Sequence, residues 1–143
     1  QWYGETVQDD YQRALATLLA PVRERVHFAG FVPYAQMPAM YAAGDVAVLP
    51  SIWEEPSGLT LLEAQASGMP VITTRAGGIP DNVSQESAVL LARGDGLVQA
   101  LADAMDMLFI DAEMREKMAR AGKQFLRGRD IPDYYRAFAA LLA

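Results

Sequence analysis

Two glutamates eight residues apart are the side chains in this sequence best suited to chemistry, and a glycine lies between them. Glu55 precedes a segment whose pattern predicts a helix, Gly58 stands where that helix begins, and Glu63 lies inside it. The first amide groups of a helix lack hydrogen-bond partners, and the helix dipole adds about half a positive charge there. A helix start therefore binds anions such as phosphate. Flanking carboxylates cannot hold the anion, but they can accept hydrogen bonds from hydroxyl groups.

A ligand that carries phosphate together with hydroxyl groups on both sides fits this pattern, and a nucleotide sugar is such a ligand. Glu63 is flanked by apolar residues, where an unpaired carboxylate would be costly to bury. The alternative for both glutamates is a solvated surface charge. Glu54 is a second candidate beside Glu55, but the spacing favours Glu55 and assigns Glu54 to the surface.

Four short segments continue this pattern along the chain: Glu55-Pro56-Ser57-Gly58-Leu59, Leu62-Glu63-Ala64, Gly68-Met69-Pro70-Val71-Ile72 and Gly77-Gly78. Together they resemble the E-x7-E region of GT-B glycosyltransferases, and most closely family 4 (glycosyl transferases group 1) of the retaining enzymes. The resemblance is clear from Val26 to Leu91 and covers the helical remainder in outline. Ser57 departs from the family, which usually carries Phe at this position.

The resemblance implies a role for each residue of the motif. Glu55 is implied to be the catalytic residue, which contacts the hydroxyl groups of the donor sugar, and Glu63 to hold the ribose hydroxyls. The backbone is implied to bind the diphosphate and the base through the following residues: Gly58, Leu59 and Thr60 for the diphosphate, and Phe31 and Val32 for the base.

The implied enzyme is a hexosyltransferase that moves a sugar from a nucleoside diphosphate sugar to an acceptor hydroxyl, as in cell-surface polysaccharide or glycolipid synthesis. The family needs no metal or other cofactor and retains the anomeric configuration. The resemblance also implies an N-terminal acceptor-binding domain, and an Arg and a Lys at the diphosphate that are not found in this sequence. Two alternatives stay open, namely a nucleotide-sugar-binding module without catalysis and a GT-B epimerase or phosphorylase.

Composition narrows the class of protein further. The 143 residues carry 12 basic and 18 acidic side chains, a formal charge of −6, which argues against nucleic-acid or anionic-membrane partners. Cysteine is absent, so disulfides and thiolate metal sites are excluded. No apolar run approaches the roughly 18 residues of a membrane span. We expect a cytoplasmic enzyme, with peripheral membrane contact only through the missing domain.

The order of elements predicts the fold class. Short apolar runs predict four strands, and periodic segments between them predict helices: strands at Val26–Ala29, Val46–Leu49, Val71–Thr73 and Ala88–Leu91, and helices at 10–20, 34–43, 58–67, a turn at 81–83, and from Leu97, Asp111 and Pro132. This alternation predicts an α/β fold with a Rossmann-like parallel sheet and helices on both faces, the C-terminal half of a GT-B fold, followed by C-terminal helices. Residues 1–143 are expected to form a single donor-binding domain, a fragment that lacks its first strands and the acceptor domain.

Ligands of such sheets bind beyond the carboxyl ends of the strands, near a change in strand order. Three loops are predicted to converge there: Gly30–Val32, Pro50–Gly58 and Thr74–Pro80. Gly77-Gly78 is either a simple turn or a close backbone approach to the ligand. Trp53 either stacks on a base or sugar or wedges its loop against the core. His27 is interpreted as part of a strand and Arg75 as solvated or ion-paired. The remaining predictions are structural: Ser57 as the N-cap of the helix at 58–67, Gly44 as a left-handed residue that closes the helix at 34–43, Tyr41 on the apolar face of that helix, Met105 and Met107 in the core, and Tyr135, Phe138 and Leu142 facing inward on the last helix.

Overall fold

The computed structural model describes residues 5–129, 132, 133 and 140 of the chain. The chain falls into two compact units, one up to Pro33 and the other from Tyr34 onward. A single domain over residues 1–143 stays a prediction. The residues predicted to face inward on the last helix, Tyr135, Phe138 and Leu142, lie outside the described residues.

The first unit is helical. Helix α1 covers Glu5–Leu19, and a 3-10 helix follows at Ala20–Arg25 with Pro21 in its first turn. The α-helix ends there because proline has no N–H to donate to the preceding turn. The strand predicted at Val26–Ala29 is wrong. Val26 has extended backbone angles, but none of the described strands pairs with this segment, and a strand requires a neighbour to accept its backbone hydrogen bonds.

The second unit opens with a broken helix where the sequence predicted a continuous one. A 3-10 turn covers Tyr34–Gln36, and α2 covers Met37–Ala42. Pro38 is the reason, because a proline is tolerated only in the first turn of an α-helix. Gly44 was predicted to close this helix in the left-handed conformation, yet it has no positive φ. Its small size matters instead, since a Cβ atom there would lie 2.8 Å from Cε of Met69.

Within the described residues, three of the four predicted strands form a parallel sheet. Strands β1 (Ala47–Leu49), β2 (Val71–Thr74) and β3 (Ala88–Leu91) lie in that order, with β2 in the centre. The order of the described strands is consecutive, so the predicted change in strand order does not occur among them.

Side chains alternate between two cores along the strands, because successive residues of a strand point to opposite faces. Helix α3 (Leu59–Ala66) covers one face, and α4 (Leu97–Ile110) and α5 (Ala112–Phe125) cover the other. The buried residues divide accordingly: Ala47, Leu61, Ala64, Met69, Val71, Ala76, Ile79, Val83 and Ala88 on the first face, and Ile72, Leu91, Ala104, Leu108 and Met118 on the second. The prediction of helices on both faces is confirmed.

Helix α3 begins and ends at glycines. Its N-cap is Gly58, with φ +63°, and not Ser57 as the sequence suggested. A left-handed residue is needed where the loop turns into the helix, and glycine adopts that conformation without strain. At the other end Gly68 has φ +85°, and the amide of Met69 reaches the carbonyl of Ala64 at 3.0 Å, which is the Schellman arrangement. The short turn predicted at 81–83 is a 3-10 helix at Ile79–Asn82.

The two long helices on the second face follow the predicted pattern with two exceptions. Asp111 caps α5 by accepting a hydrogen bond from the amide of Met114 at 2.8 Å, and Met118 is buried. Met105 and Met107 were predicted to fill the core, but they are 48% and 38% exposed. Apolar residues occur all round α4, so the side facing the sheet was not evident from their spacing.

Candidate functional site

The loops that follow the three strands meet at the carboxyl edge of the sheet. The loop after β1 runs from Pro50 to Gly58, and the amide of Gly78 in the loop after β2 donates to the carbonyl of Glu55 at 2.8 Å. The hydroxyl of Thr74 donates to the carbonyl of Ser51. The predicted convergence of these two loops is confirmed.

Glycines at 77 and 78 allow the second loop to lie directly against the first. A Cβ atom on Gly77 would lie 2.5 Å from the carbonyl oxygen of Glu55 and 2.8 Å from its nitrogen. Gly77 also has φ +53°, so two independent constraints favour glycine there. The backbone that these glycines approach is that of Glu54, Glu55 and Pro56, and the close approach to the ligand that the sequence offered stays a prediction.

The start of α3 presents free backbone donors at this edge. The amide of Leu61 reaches the carbonyl of Gly58 at 2.9 Å, but within the described chain no protein group accepts from the amides of Leu59 and Thr60. Both are exposed residues, whereas Gly58 is buried. Unpartnered amides at a helix start attract an anion.

Glu55 lies beside this helix start and is half-buried. Its Oε1 atom accepts a hydrogen bond from the amide of Gly58 at 3.3 Å, which is long for such a bond. The carboxylate therefore occupies one of the three amides that the resemblance assigns to the diphosphate.

A cleft of about 400 Å³ opens between β1, its loop and α3. Its lining includes Trp53, Glu55, Gly58, Thr60 and Ile79. Leu59 and Glu63 are not part of that lining. Because they are four residues apart, they share a face of α3 next to the cleft.

Two tyrosines hold the carboxylate of Glu63, and sequence reasoning did not assign them to the site. The hydroxyl of Tyr41 donates to Oε2 at 3.0 Å, and that of Tyr34 donates to Oε1 at 3.3 Å. Burial raises the pKa of Tyr41 to about 12, and the hydrogen bond to Glu63 adds to the shift. The sequence did place Tyr41 on the inner face of its helix, but not opposite a carboxylate.

Glu54 joins all three loops, although sequence reasoning assigned it only to the surface. Its side chain is exposed, yet Oε2 accepts from the amide of Gly77 at 2.6 Å and Oε1 from the Arg93 guanidinium at 2.7 Å. Arg93 also donates to the carbonyl of Ile52 at 3.4 Å. The Arg93 hydrogen bond, more than the Gly77 amide, lowers the pKa of Glu54. A signal for this pair existed, because Arg93 follows β3 and the carboxyl ends of parallel strands share one edge.

A buried polar network fixes α3 against the loops behind it. The side-chain amide of Gln65 donates to the carbonyls of Leu61 at 3.1 Å and Asn82 at 2.9 Å, and accepts from the hydroxyl of Ser87 at 2.9 Å. Asn82 in turn donates to the carbonyl of Ser57 at 2.6 Å. Asn82 is therefore bonded both to Ser57, just before the start of α3, and to Gln65, near its end.

The other residues singled out from the sequence lie as follows. Phe31 and Val32 belong to the first unit, where Phe31 is 91% exposed, and their role at the base stays a prediction. Trp53 is 60% exposed, so it does not wedge its loop against the core. His27 is exposed in a segment without strand pairing, and Arg75 is exposed after β2.

Two features are absent from the described part of the chain. It contains no group of three or more acidic or histidine side chains arranged for a metal ion. None of its helices combines the length and apolar character needed to cross a membrane.

Comparison with known proteins identifies the family. The model of the family "Glycosyl transferases group 1" matches residues 5–125, which is most of the chain. The chain belongs to the glycosyl transferases group 1 family. A relative from Corynebacterium glutamicum (strain R), named D-inositol 3-phosphate glycosyltransferase, is 35% identical over 95% of the chain and 30% of its own length.

Solved structures share the fold of the chain. The C-terminal domain of a glycosyl transferase group 1 family protein (LpcC) from Francisella tularensis superposes with a TM-score of 0.72 at 31% identity, covering 82% of the chain and 61% of that domain. Alr3699/HepE of Anabaena, solved in complex with UDP, gives a TM-score of 0.80 at 25% identity, over 96% of the chain and 38% of its own length. The α/β fold is that of the C-terminal domain of GT-B enzymes.

Proposed function

We propose that this chain is the donor-binding part of a glycosyltransferase that transfers a hexose from a nucleoside diphosphate sugar to an acceptor hydroxyl. Membership of the glycosyl transferases group 1 family supports the reaction class. HepE, which shares the fold, has been solved with UDP and with UDP-glucose, and this makes a UDP-hexose the first donor to test. The chain spans 30% of the length of the curated relative from Corynebacterium, so the proposal assigns the acceptor to a separate N-terminal domain.

The start of α3 is the observation that carries this proposal. The free amides of Leu59 and Thr60 lie at the carboxyl edge of a parallel sheet, beside a cleft large enough for a hexose. The helix dipole adds a partial positive charge at the same point. As the sugar leaves, negative charge develops on the diphosphate, and donors already aimed at it stabilise that charge without reorganisation.

Glu55 is the proposed contact to the donor sugar, because its carboxylate lines the cleft beside the helix start. In the free chain its Oε1 atom accepts from the Gly58 amide at 3.3 Å. A phosphate that uses this amide must displace the carboxylate. We therefore assign the diphosphate first to Leu59 and Thr60, with Gly58 shared between phosphate and Glu55.

Glu63 is the proposed ribose contact. It lies four residues beyond Leu59 on the same helix face, about 6 Å along the axis. A donor that extends from the cleft over Leu59 would bring its ribose to this carboxylate. Binding of the base by backbone groups of Phe31 and Val32 rests on the family resemblance alone.

The finer assignments rest on the family resemblance alone. They are membership of family 4 with the E-x7-E motif, retention of anomeric configuration, transfer without a metal ion, and a role in polysaccharide or glycolipid synthesis. A cytoplasmic location with peripheral membrane contact through the N-terminal domain completes the proposal. Activity of the full-length enzyme in EDTA, compared with added Mg²⁺, tests the metal assignment.

Calorimetric titration of the chain with UDP, GDP, ADP and their glucose conjugates tests donor binding. We expect one diphosphate to bind at micromolar to millimolar concentration and its sugar conjugate to bind more tightly. Glu55→Ala should remove that difference and leave binding of the plain diphosphate nearly intact. Absence of binding by every member of the panel would contradict the proposal.

A further inference from the structure

Glu54 occupies a position that links the loops after all three strands. One carboxylate oxygen accepts from the amide of Gly77 at 2.6 Å, and the other accepts from Arg93 at 2.7 Å. Arg93 also reaches back to the carbonyl of Ile52 at 3.4 Å. A segment after β1 is thus tied to the loops that follow β2 and β3.

These contacts fix the backbone from which the Glu55 side chain projects. The amide of Gly78 donates to the carbonyl of Glu55 at 2.8 Å, and Gly77 lies so close that a Cβ atom would approach the Glu55 carbonyl oxygen to 2.5 Å. Glu54 and Glu55 therefore face different partners. The side chain of Glu54 binds the neighbouring loops, while that of Glu55 lines the cleft.

We propose that Glu54 is a positioning residue for Glu55: by binding Arg93 and the Gly77 amide, it holds the Glu55 carboxylate at the sugar end of the donor site. Glu54 itself does not touch the donor. The inference deepens the proposed function and rests on it for the identity of the ligand, but the position of Glu55 can be measured without any ligand.

The bond between Glu55 and the Gly58 amide supplies that ligand-free measurement. Hydrogen exchange of the Gly58 amide, followed by NMR on the free 143-residue chain, reports whether the carboxylate stays in place. We expect Glu54→Gln and Arg93→Gln each to accelerate exchange at Gly58 several-fold, toward the rate in Glu55→Ala. Glu86→Gln, a change of another exposed glutamate located before β3, is the matched control and should change nothing.

Binding supplies the second measurement, as a double-mutant cycle. The quantity is the ratio of the dissociation constants for UDP and UDP-glucose, which reports the contribution of the sugar. Glu54→Gln should lower this ratio roughly two- to five-fold, the range for loss of an exposed ion pair. In a Glu55→Ala background the same change should have no effect, because the residue that Glu54 positions is gone.

The outcomes distinguish a failure of the positioning role of Glu54 from a failure of the proposed donor contact of Glu55. Unchanged Gly58 exchange in Glu54→Gln overturns the positioning role whether or not the chain binds a donor. An equal effect of Glu54→Gln with and without Glu55 also overturns it, since Glu54 would then act by another route. Failure of the wild-type chain to distinguish UDP-glucose from UDP instead overturns the proposed role of Glu55, and the exchange experiment still decides whether Glu54 positions it.

Discussion

The Glu63 carboxylate has hydrogen-bonding capacity beyond its two tyrosine partners. An ionised carboxylate offers about four lone-pair sites. Tyr41 and Tyr34 fill one site on each oxygen, which leaves one on each for a further donor. Two neighbouring hydroxyl groups, such as those of a ribose, match two neighbouring acceptors on one rigid group. The tyrosines thus orient the carboxylate and leave one acceptor site on each of its oxygens.

Removal of this carboxylate should weaken binding of the diphosphate. Glu63→Ala is expected to cost about 1.5–3 kcal/mol of binding free energy, the value of a hydrogen bond to a charged group. Calorimetry with UDP measures the change, and Glu86→Ala serves as a control on an exposed glutamate. Equal affinity of wild type and Glu63→Ala would contradict the ribose assignment.

Tyr41 should make the stability of the folded chain decline at alkaline pH. Its pKa in the folded chain is about 12, above the ordinary value of 10.0, so the folded state keeps a proton that the unfolded state loses. Stability from this group is complete below pH 10 and declines as the pH rises toward 12, because the unfolded state then binds fewer protons. Urea unfolding between pH 9 and about 11.5 should therefore show a shallower decline in Tyr41→Phe than in wild type. Parallel declines would show that Tyr41 carries no such linkage.

At the scale of elements, the contact between the loops after β1 and β2 depends on the absence of a side chain. Gly77→Ala places a Cβ atom 2.5 Å from a backbone oxygen that cannot move aside without shifting the Glu55 loop. Gly30→Ala is a matched control, since Gly30 has φ +69° but nothing within 4 Å of the added atom.

Both substitutions incur the strain of a left-handed non-glycine residue, about 1–2 kcal/mol. Gly77→Ala should lower the free energy of unfolding by a further ~1–3 kcal/mol, because the added atom overpacks the contact between the loops. Urea unfolding measures this difference. Equal destabilisation by the two substitutions would mean that the loops after β1 and β2 can move apart without a loss in the free energy of unfolding.

A second prediction at the scale of elements concerns helix α3 and the buried side-chain amide of Gln65. Gln65→Leu leaves the Asn82 carbonyl and the Ser87 hydroxyl without this partner, and we expect a loss of about 1–3 kcal/mol in the free energy of unfolding. Gln124→Leu on the exposed side of α5 should stay within about 0.5 kcal/mol of wild type. A neutral Gln65→Leu would show that water or repacking replaces the network.

Local sequence signals predicted three strands to within one residue, because each is a short apolar run next to glycine, proline or a polar turn. The same signal failed at Val26–Ala29, where no described strand offers a partner. Backbone pairing between strands depends on the assembled sheet, so it cannot be predicted from a run of four residues alone.

The motif glutamates could be identified from their spacing, but the tyrosine partners of Glu63 could not. Tyr41 is 22 residues from Glu63, and Tyr34 is 29 residues from it. Such contacts depend on the register of neighbouring strands and on how a helix lies across them. The N-cap of α3 was misplaced for a related reason, since the loop geometry favours a left-handed glycine over a capping serine.

At the scale of the whole molecule, the net charge of −6 opposes an anionic ligand. If backbone dipoles hold the diphosphate, added salt screens the long-range repulsion more than the short-range attraction. Affinity for UDP should then stay constant or rise up to about three-fold between 10 and 150 mM salt. A fall of tenfold or more over this range would indicate that lysine or arginine side chains bind the phosphates.

The backbone of the loop after β2 is stacked on the loop that carries Glu55, and this has a consequence for protein engineering. Residues 51–63 contain the whole motif, yet grafted alone into another parallel sheet they would lack the surface against which their loop rests. A working graft has to include residues 74–82 and an arginine equivalent to Arg93, taken over as one piece with their mutual spacing intact. The smallest transferable unit of this site is therefore three-dimensional and discontinuous in the chain.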